Sequence, residues 1–172
     1  MQLRLANYIL KPRNLMYNEK VIQMNIPSPK ISPMKEQDIL GVFEVERKCF
    51  PFPFGETLIG NIYYGAPELC LILEFDDQVI GFILGGYTAI LGQAHILSFA
   101  ILENYRNQGL GKKLLEYFIK RAETLGCNNI KLEVDVDNKS AIKLYENLGF
   151  EIISRIRKYY QDNSDAFLMI KN

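Results

Sequence analysis

The stretch AHILSFAILENYRNQGLGKKLLEYFIKRAETL, residues 94–125, decides the fold. It opens with an almost wholly apolar run over 94–102, which is typical of a strand covered on both faces. A loop carrying Gly109 and Gly111 follows, and a helix begins at once, with apolar residues recurring on one face until Gly126 ends it. This order predicts an α/β unit with a ligand site at the start of the helix.

The loop before this helix has the properties of an anion site. A helix N-terminus leaves backbone N–H groups unpaired and carries partial positive charge. The two glycines lack Cβ atoms, so a ligand can approach the backbone closely. Arg106 and Lys112 add positive charge on either side. A pyrophosphate is therefore a suitable ligand.

Three other interpretations of the glycine loop have to be compared with this one. A Walker A loop needs Ser or Thr after its Gly-Lys pair, and Lys113 stands there. A dinucleotide fingerprint needs a third glycine or an alanine where Leu114 stands. A plain helix start, with glycines for tight packing, remains open from the residues alone.

The rest of the chain predicts one α/β (or α+β) domain with a mixed sheet over residues 27–172, preceded by an N-terminal extension over 1–26. We expect a hairpin centred on Asp76-Asp77, an alternating strand over 130–136 and a short helix capped by Asn138. The remaining predicted elements are a strand around Ile31, helices over 34–48 and 56–64, and strands over 151–160 and 166–170.

Composition excludes several classes of function. Lys+Arg and Asp+Glu both number 20, so the chain lacks the basic excess that would indicate a nucleic-acid partner. No apolar run reaches the length of a membrane span, and the start is not a convincing signal peptide. One histidine and three widely spaced cysteines do not make a zinc pattern, so we predict no metal. An odd number of cysteines favours reduced thiols and a cytoplasmic location.

Two motifs together resemble the GNAT acetyltransferase superfamily. Arg106-x-x-Gly109-x-Gly111 is similar to its acetyl-CoA motif, and the bulged strand that precedes this motif in the family corresponds to 96–101. The segment 138–150, NKSAIKLYENLGF, is similar to the N-x-x-A-x-x-x-Y-x-x-x-G-F segment of many members. The resemblance spans about residues 30–172. It implies a single GNAT-type domain with a mixed twisted sheet of about six to seven strands and about four helices.

Within the superfamily the chain most resembles the ribosomal-protein alanine N-acetyltransferases and the catalytic subunits of N-terminal acetyltransferases. The similar segments are RKCFPF at 47–52, AHILSFAI at 94–101, and KYY at 158–160 followed by DAFLM at 165–169. The resemblance implies transfer of an acetyl group from acetyl-CoA to the α-amine of a protein N-terminus, by direct attack in a ternary complex. It also implies a set of residues that bind the coenzyme: Phe99, Ala100, Ile101, Arg106, Asn107, Gln108, Gly109, Leu110, Gly111, Lys112, Asn138, Ala141 and Tyr145.

Three residues are candidates for proton transfer. Imidazole titrates near neutrality, so His95 is the first candidate for the base; a core histidine bonded to a carbonyl is the alternative. Glu133 is the second, although some relatives carry histidine there and a solvated carboxylate is the alternative. The resemblance implies that the hydroxyl of Tyr145 points at the coenzyme sulfur as a general acid; a packed core tyrosine is the alternative.

The acceptor side is predicted from two segments. Phe50, Pro51 and Phe52 resemble a loop at the peptide entrance of the family. Some relatives have a carboxylate where Phe52 stands, so its replacement by phenylalanine favours acceptors whose first residue is uncharged or hydrophobic. Tyr159 and Tyr160 are implied to grip the first peptide units. A small-molecule amine acceptor, or a non-catalytic acetyl-CoA-binding protein, remains as an alternative. The oligomeric state stays open between a monomer and a weak homodimer.

Overall fold

Residues 28–172 are described by the structure, a computed structural model. The predicted N-terminal extension, 1–26, lies outside the described residues. Within 28–172, seven strands and four α-helices form one mixed α/β fold, which confirms the predicted fold class. In chain order the elements are β1 Lys30–Pro33, α1 Ile39–Cys49, α2 Glu56–Gly65, β2 Cys70–Phe75, β3 Gln78–Tyr87, β4 Gln93–Ile101, α3 Leu110–Thr124, β5 Asn129–Asp135, α4 Lys139–Glu146, β6 Glu151–Ile156 and β7 Ala166–Lys171.

The sheet has the strand order β1-β2-β3-β4-β5-β7-β6. Neighbouring strands are antiparallel except β4 and β5, which are parallel and are joined by the crossover helix α3. Asp76 and Asp77 form the predicted β2–β3 turn, with φ of 49° and 57°. Positive φ at both central residues suits a two-residue hairpin turn, because that geometry follows the twist of the strands.

The sheet is covered by helices on both faces. On one face α3 and α4 pack against the strands in one buried cluster, which contains Phe118 of α3 and Ile130 and Leu132 of β5. On the other face α1 and α2 pack over β2, β3 and the end of β4 in a second cluster that contains Ile59 and Phe82. No helix within 28–172 is both long and apolar enough to cross a membrane.

The predicted first helix, 34–48, begins later than expected. The backbone N–H of Met34 donates to the carbonyl of Cys70 in β2 (2.9 Å), so Met34 still belongs to the extended segment beside the sheet. Residues Glu36–Asp38 form a 3₁₀ turn before α1, and the Asp38 carboxylate accepts from the backbone N–H of Lys35 (2.7 Å).

The strand predicted over 151–160 was wrong beyond Ile156. Asp165 accepts hydrogen bonds from Arg155 Nε (2.7 Å) and from the backbone N–H of Lys158 (2.8 Å). Lys158 itself has a φ of 52°, which ends the extended conformation. Tyr159 and Tyr160 therefore lie in the loop between β6 and β7, and their side chains do not alternate as in a strand.

Candidate active site

The pairing between β4 and β5 ends in the middle of the sheet, and the space between the two strands beyond this point is called the cleft below. The two strands pair only over Gln93–Ile96 and Asn129–Leu132, after which β4 pairs with β3 and β5 with β7. Leu97 is a bulge residue, since Ile96 and Ser98 face successive residues of β3. The bulge reverses the alternation of β4 at the point where the cleft begins. The expected bulged strand over 96–101 is therefore present.

The N-terminus of α3, beside this cleft, has the geometry predicted for an anion cradle. Gly109, the N-cap, has a φ of 76°, and the first helical bond runs from Lys113 N to Gly109 O (3.1 Å). The N–H groups of residues 110–112 therefore have no acceptor inside the helix. A Cβ on Gly109 would meet nothing within 4 Å, and one on Gly111 would make ordinary contacts with Phe99 (3.6 Å) and Leu144 (3.8 Å). The open backbone around the loop suits phosphate groups.

The side chain of Arg106 braces the loop. Its Nε donates to the carbonyl of Ile101 (2.7 Å), and a terminal guanidinium nitrogen contacts the Sγ of Cys49 (3.5 Å). These contacts tie the end of β4 to the end of α1. The backbone N–H groups of the α3 N-terminus are thus the clearest donors for an anion in this loop.

Tyr145 lies on the α3–α4 face of the sheet, beside the cleft. Asn138 caps α4 as predicted, because its side-chain oxygen accepts from the backbone N–H of Ala141 (3.1 Å). One turn later Tyr145 packs between Phe99 and Phe150, with ring centroids 6.5 and 5.7 Å away. Burial, with a smaller contribution from Tyr160, raises the pKa of Tyr145 far above that of a free tyrosine. Its hydroxyl therefore holds its proton at neutral pH.

His95 and Glu133, the two candidate bases, contact each other. His95 Nε2 and Glu133 Oε2 are 2.6 Å apart, and Lys131 Nζ lies 3.3 Å from Glu133 Oε1. Burial raises the pKa of Glu133, but the hydrogen bond with His95 and the charge of Lys131 outweigh it, so this pKa lies below its ordinary value. The carboxylate is consequently ionised at neutral pH and can orient the imidazole.

This pair points to the opposite face of the sheet from Tyr145. The strand neighbours of His95, which are Ala94 and Ile96, belong to the α3–α4 cluster. The strand neighbours of Glu133, which are Leu132 and Val134, belong to it as well. The side chains of His95 and Glu133 therefore face the α1–α2 side. A cleft between the strands separates candidate bases on one face from a candidate acid on the other.

The loop between β6 and β7 brings two tyrosines close to Glu133. The rings of Tyr159 and Tyr160 meet edge to face at 5.0 Å. Burial and then the nearby charge and hydrogen bond of Glu133 raise the pKa of Tyr159. Burial raises the pKa of Tyr160 strongly, and Tyr159, Asp135 and Glu133 add to the shift. Both phenols therefore lie near the end of β5 and stay protonated at neutral pH.

The α1–α2 loop carries the predicted apolar rim. Phe50 and Phe54 pack against the α1–α2 cluster, whereas Phe52 is 49% exposed. Phe52 is thus the aromatic residue of this loop that is free to contact a ligand. Pro51 beside it is also exposed.

Sequence reasoning missed Glu46, a carboxylate buried beneath this loop and only 2% exposed. Its signal was its position in α1, one turn after Val42 and next to Val45 on the buried face. A carboxylate at a core-facing helix position requires hydrogen-bond partners. No group of three or more His, Cys, Asp or Glu within 28–172 is arranged to hold a metal ion.

Known proteins share this architecture. A model of the acetyltransferase (GNAT) family matches residues 39–150. The alanine N-acetyltransferase of ribosomal protein bS18 from Salmonella typhimurium is 34% identical, over 81% of this chain and 94% of its own. Ard1 from Thermoplasma volcanium superposes with a TM-score of 0.79 at 29% identity, over 83% of this chain and 96% of its own. A chain of the NatC complex bound to Gag peptide and CoA has a TM-score of 0.78 at 25% identity, over 83% of this chain and 97% of its own.

Proposed function

The chain belongs to the acetyltransferase (GNAT) family and is an N-acetyltransferase, and from that membership we propose that it acetylates the α-amine of protein N-termini with acetyl-CoA. The observation that carries the proposal is the cleft between β4 and β5, with the anion cradle and Tyr145 on one face and the His95–Glu133 pair on the other. The Salmonella relative is named as an N-acetyltransferase of an alanine in ribosomal protein bS18, and the NatC structure holds a Gag peptide with CoA, which supports this acceptor class.

The residues around the cleft fit the proposed coenzyme. The free N–H groups at the start of α3 and the open backbone at Gly109 and Gly111 suit a pyrophosphate. The end of β4, 99–101, pairs with β3 and with no residue of β5, so its backbone groups on that side, other than the Ile101 carbonyl bound by Arg106, suit the pantetheine arm. Acetyl-CoA supplies an acetyl group activated as a thioester.

We assign the proton transfers to the two faces of the cleft. An α-amine has a pKa of about 7.7–8, so a base of near-neutral pKa suffices to remove its proton. We propose that His95 takes this proton, directly or through one water, and that Glu133 holds the imidazole in place. Tyr145, which keeps its proton at neutral pH, donates it to the leaving sulfur.

The acceptor groove is bounded by exposed aromatic side chains. Phe52 on the α1–α2 loop and Tyr159 on the β6–β7 loop are 49% and 46% exposed. We propose that they contact the first residues of the peptide, with Phe52 favouring an uncharged or hydrophobic first side chain. Cys49, Cys70 and Cys127 are all free, which supports a reducing compartment such as the cytoplasm.

A panel of short peptides tests the acceptor class. Peptides that differ in their first two residues, each with a free and an acetyl-blocked N-terminus, are incubated with acetyl-CoA while free thiol is measured. We expect turnover on free N-termini, with apolar first residues ranked above acidic ones, and none on the blocked series. Equal thiol release from both series would contradict the proposal.

Two glycine substitutions test the anion cradle. Gly109→Ala places a Cβ on a residue with a φ of 76°, so we expect the free energy of unfolding to fall by about 1 kcal/mol and acetyl-CoA affinity by about five- to tenfold. Gly126→Ala is the matched control, because Gly126 has a φ of 82° and open space around a Cβ, but lies beyond the other end of α3. Calorimetric titration with CoA and thermal unfolding would give both quantities. Both variants should lose stability, and an equal loss of CoA affinity in the two would disprove the assignment.

A further inference from the structure

Glu46 joins two walls of the proposed site. Its Oε2 accepts from the hydroxyl of Ser98 on β4 (2.9 Å), and its Oε1 accepts from the backbone N–H of Phe54 (3.2 Å). Ser98 itself is 8% exposed, so the Glu46–Ser98 bond is shielded from water. A single side chain on α1 thereby connects the α1–α2 loop, which carries Phe52, to the strand that borders the cleft.

The bulge at Leu97 makes this connection possible. Ile96 faces the α3–α4 cluster, and strict alternation would turn residue 98 to the same face. Because Leu97 is an extra residue in β4, Ser98 faces α1 instead and reaches Glu46. Leu97, the bulge residue at which the cleft begins, and Ser98, which binds Glu46, are therefore adjacent in the sequence.

The burial of Glu46 is unfavourable for folding alone. No Lys, Arg or His within 28–172 forms a salt bridge with it. Burial raises the pKa of its carboxyl, which expresses the cost of the charge, and its hydrogen bonds from Phe54 and Ser98 offset that cost in part. An apolar side chain at this position, between Val42 and Val45 on one side and Phe50 on the other, would pack without such a cost.

We propose that Glu46 is a positioning residue that fixes the 50–55 loop against the β4 bulge and so sets how the first residue of the acceptor is held. This inference rests on the proposed function. Its consequence is specific to the acceptor: the anion cradle at the start of α3 is held by other contacts, among them the bonds of Arg106 to Ile101 and Cys49. Disrupting Glu46 is expected to weaken peptide binding and to spare coenzyme binding.

Substitutions of Glu46 separate its hydrogen bonds from its charge. Glu46→Leu removes both acceptors at similar volume. Glu46→Gln keeps one oxygen for Phe54 N–H and presents an amide that can donate to the Ser98 hydroxyl. Glu44→Gln is the matched control, because Glu44 lies on the same helix, exposed and bonded to Arg47. Ser98→Ala, which removes one bond and leaves the carboxylate, provides a milder variant should the leucine variant not fold.

Three quantities are measured for each variant: hydrogen exchange of the Phe54 amide by NMR, KM and kcat for the best peptide, and Kd for acetyl-CoA. For Glu46→Leu we expect Phe54 exchange at least tenfold faster, a peptide KM about tenfold higher, and an acetyl-CoA Kd within twofold. Ser98→Ala should show the same pattern at two- to threefold. Glu46→Gln should lie within threefold of the parent protein, and Glu44→Gln should match it.

Other outcomes would overturn the proposal. Unchanged Phe54 exchange in both Glu46→Leu and Ser98→Ala would show that the loop is held by other contacts. A Glu46→Gln variant with a protected Phe54 amide but a large loss of kcat would show that the charge of Glu46, and not its hydrogen bond to Phe54, is the important property. The exchange measurement needs no acceptor. A parent protein that is inactive on peptides would therefore refute the proposed function without affecting the test of how Glu46 holds the loop.

Discussion

Replacing Tyr145 with Phe is expected to lower kcat for peptide acetylation by about 100-fold or more at pH 7, with the Kd for acetyl-CoA changed less than about threefold. Phenylalanine keeps the ring contacts with Phe99 and Phe150 and removes only the hydroxyl. Since burial holds the pKa of Tyr145 far above its usual value, this hydroxyl keeps its proton over the whole accessible pH range. Steady-state kinetics combined with calorimetric titration would separate the loss in turnover from any loss in binding.

Tyr117→Phe is the matched control for Tyr145→Phe. Tyr117 lies on α3 and is 41% exposed, outside the cleft, so its hydroxyl should make no difference to kcat. A Tyr145→Phe variant with unchanged kcat would leave Tyr145 as a packing residue only. A variant whose acetyl-CoA Kd rises in step with the fall in kcat would give the hydroxyl a binding role instead of a catalytic one.

Replacing His95 with Ala is expected to lower kcat/KM by about 100-fold at pH 7, and the deficit should shrink about tenfold by pH 9. Without the imidazole, the amine must lose its proton to water before it binds. With a pKa of about 7.7–8, about a tenth of the amine is neutral at pH 7 and most of it at pH 9. Rates measured from pH 6 to 9 for the parent and the variant would show this convergence.

Glu133→Gln is the informative companion to His95→Ala. Because the pKa of Glu133 lies below its ordinary value, the carboxylate is ionised across pH 6 to 9 and does not itself shape the profile there. Its loss should cost about tenfold, through the orientation of His95. His95 is the chain's one histidine, so its two ring C–H signals can be assigned without ambiguity and show whether the environment of the imidazole changes in Glu133→Gln. A larger loss in Glu133→Gln than in His95→Ala would reverse the two roles.

The fold could be predicted largely from local patterns. Alternation along β5, the Asp76-Asp77 turn and the Asn138 cap each depend on residues close in sequence, and each is present in the structure. The errors arose where a distant contact decides the local conformation. Asp165 ends β6 early by binding Arg155 and Lys158, and no property of 151–160 alone indicates that.

The candidate site could be predicted residue by residue but not as an arrangement. His95 and Glu133 were separate candidates in the sequence, because they are 38 positions apart, and only the parallel pairing of β4 with β5 brings them to 2.6 Å. The link from Glu46 to Ser98 spans 52 positions and depends on a one-residue bulge. Contacts that depend on the pairing and register of strands therefore require the structure and cannot be predicted from these residues alone.

The central claim is tested most directly by finding which amine receives the acetyl group. A peptide with a free N-terminus and one internal lysine is incubated with the protein and acetyl-CoA, and fragment-ion mass spectrometry locates the modification. The proposed function predicts acetylation on the α-amine, with the lysine side chain unmodified under initial-rate conditions. Acetylation confined to the lysine would contradict it, since the site would then have selected a side-chain amine over the N-terminus.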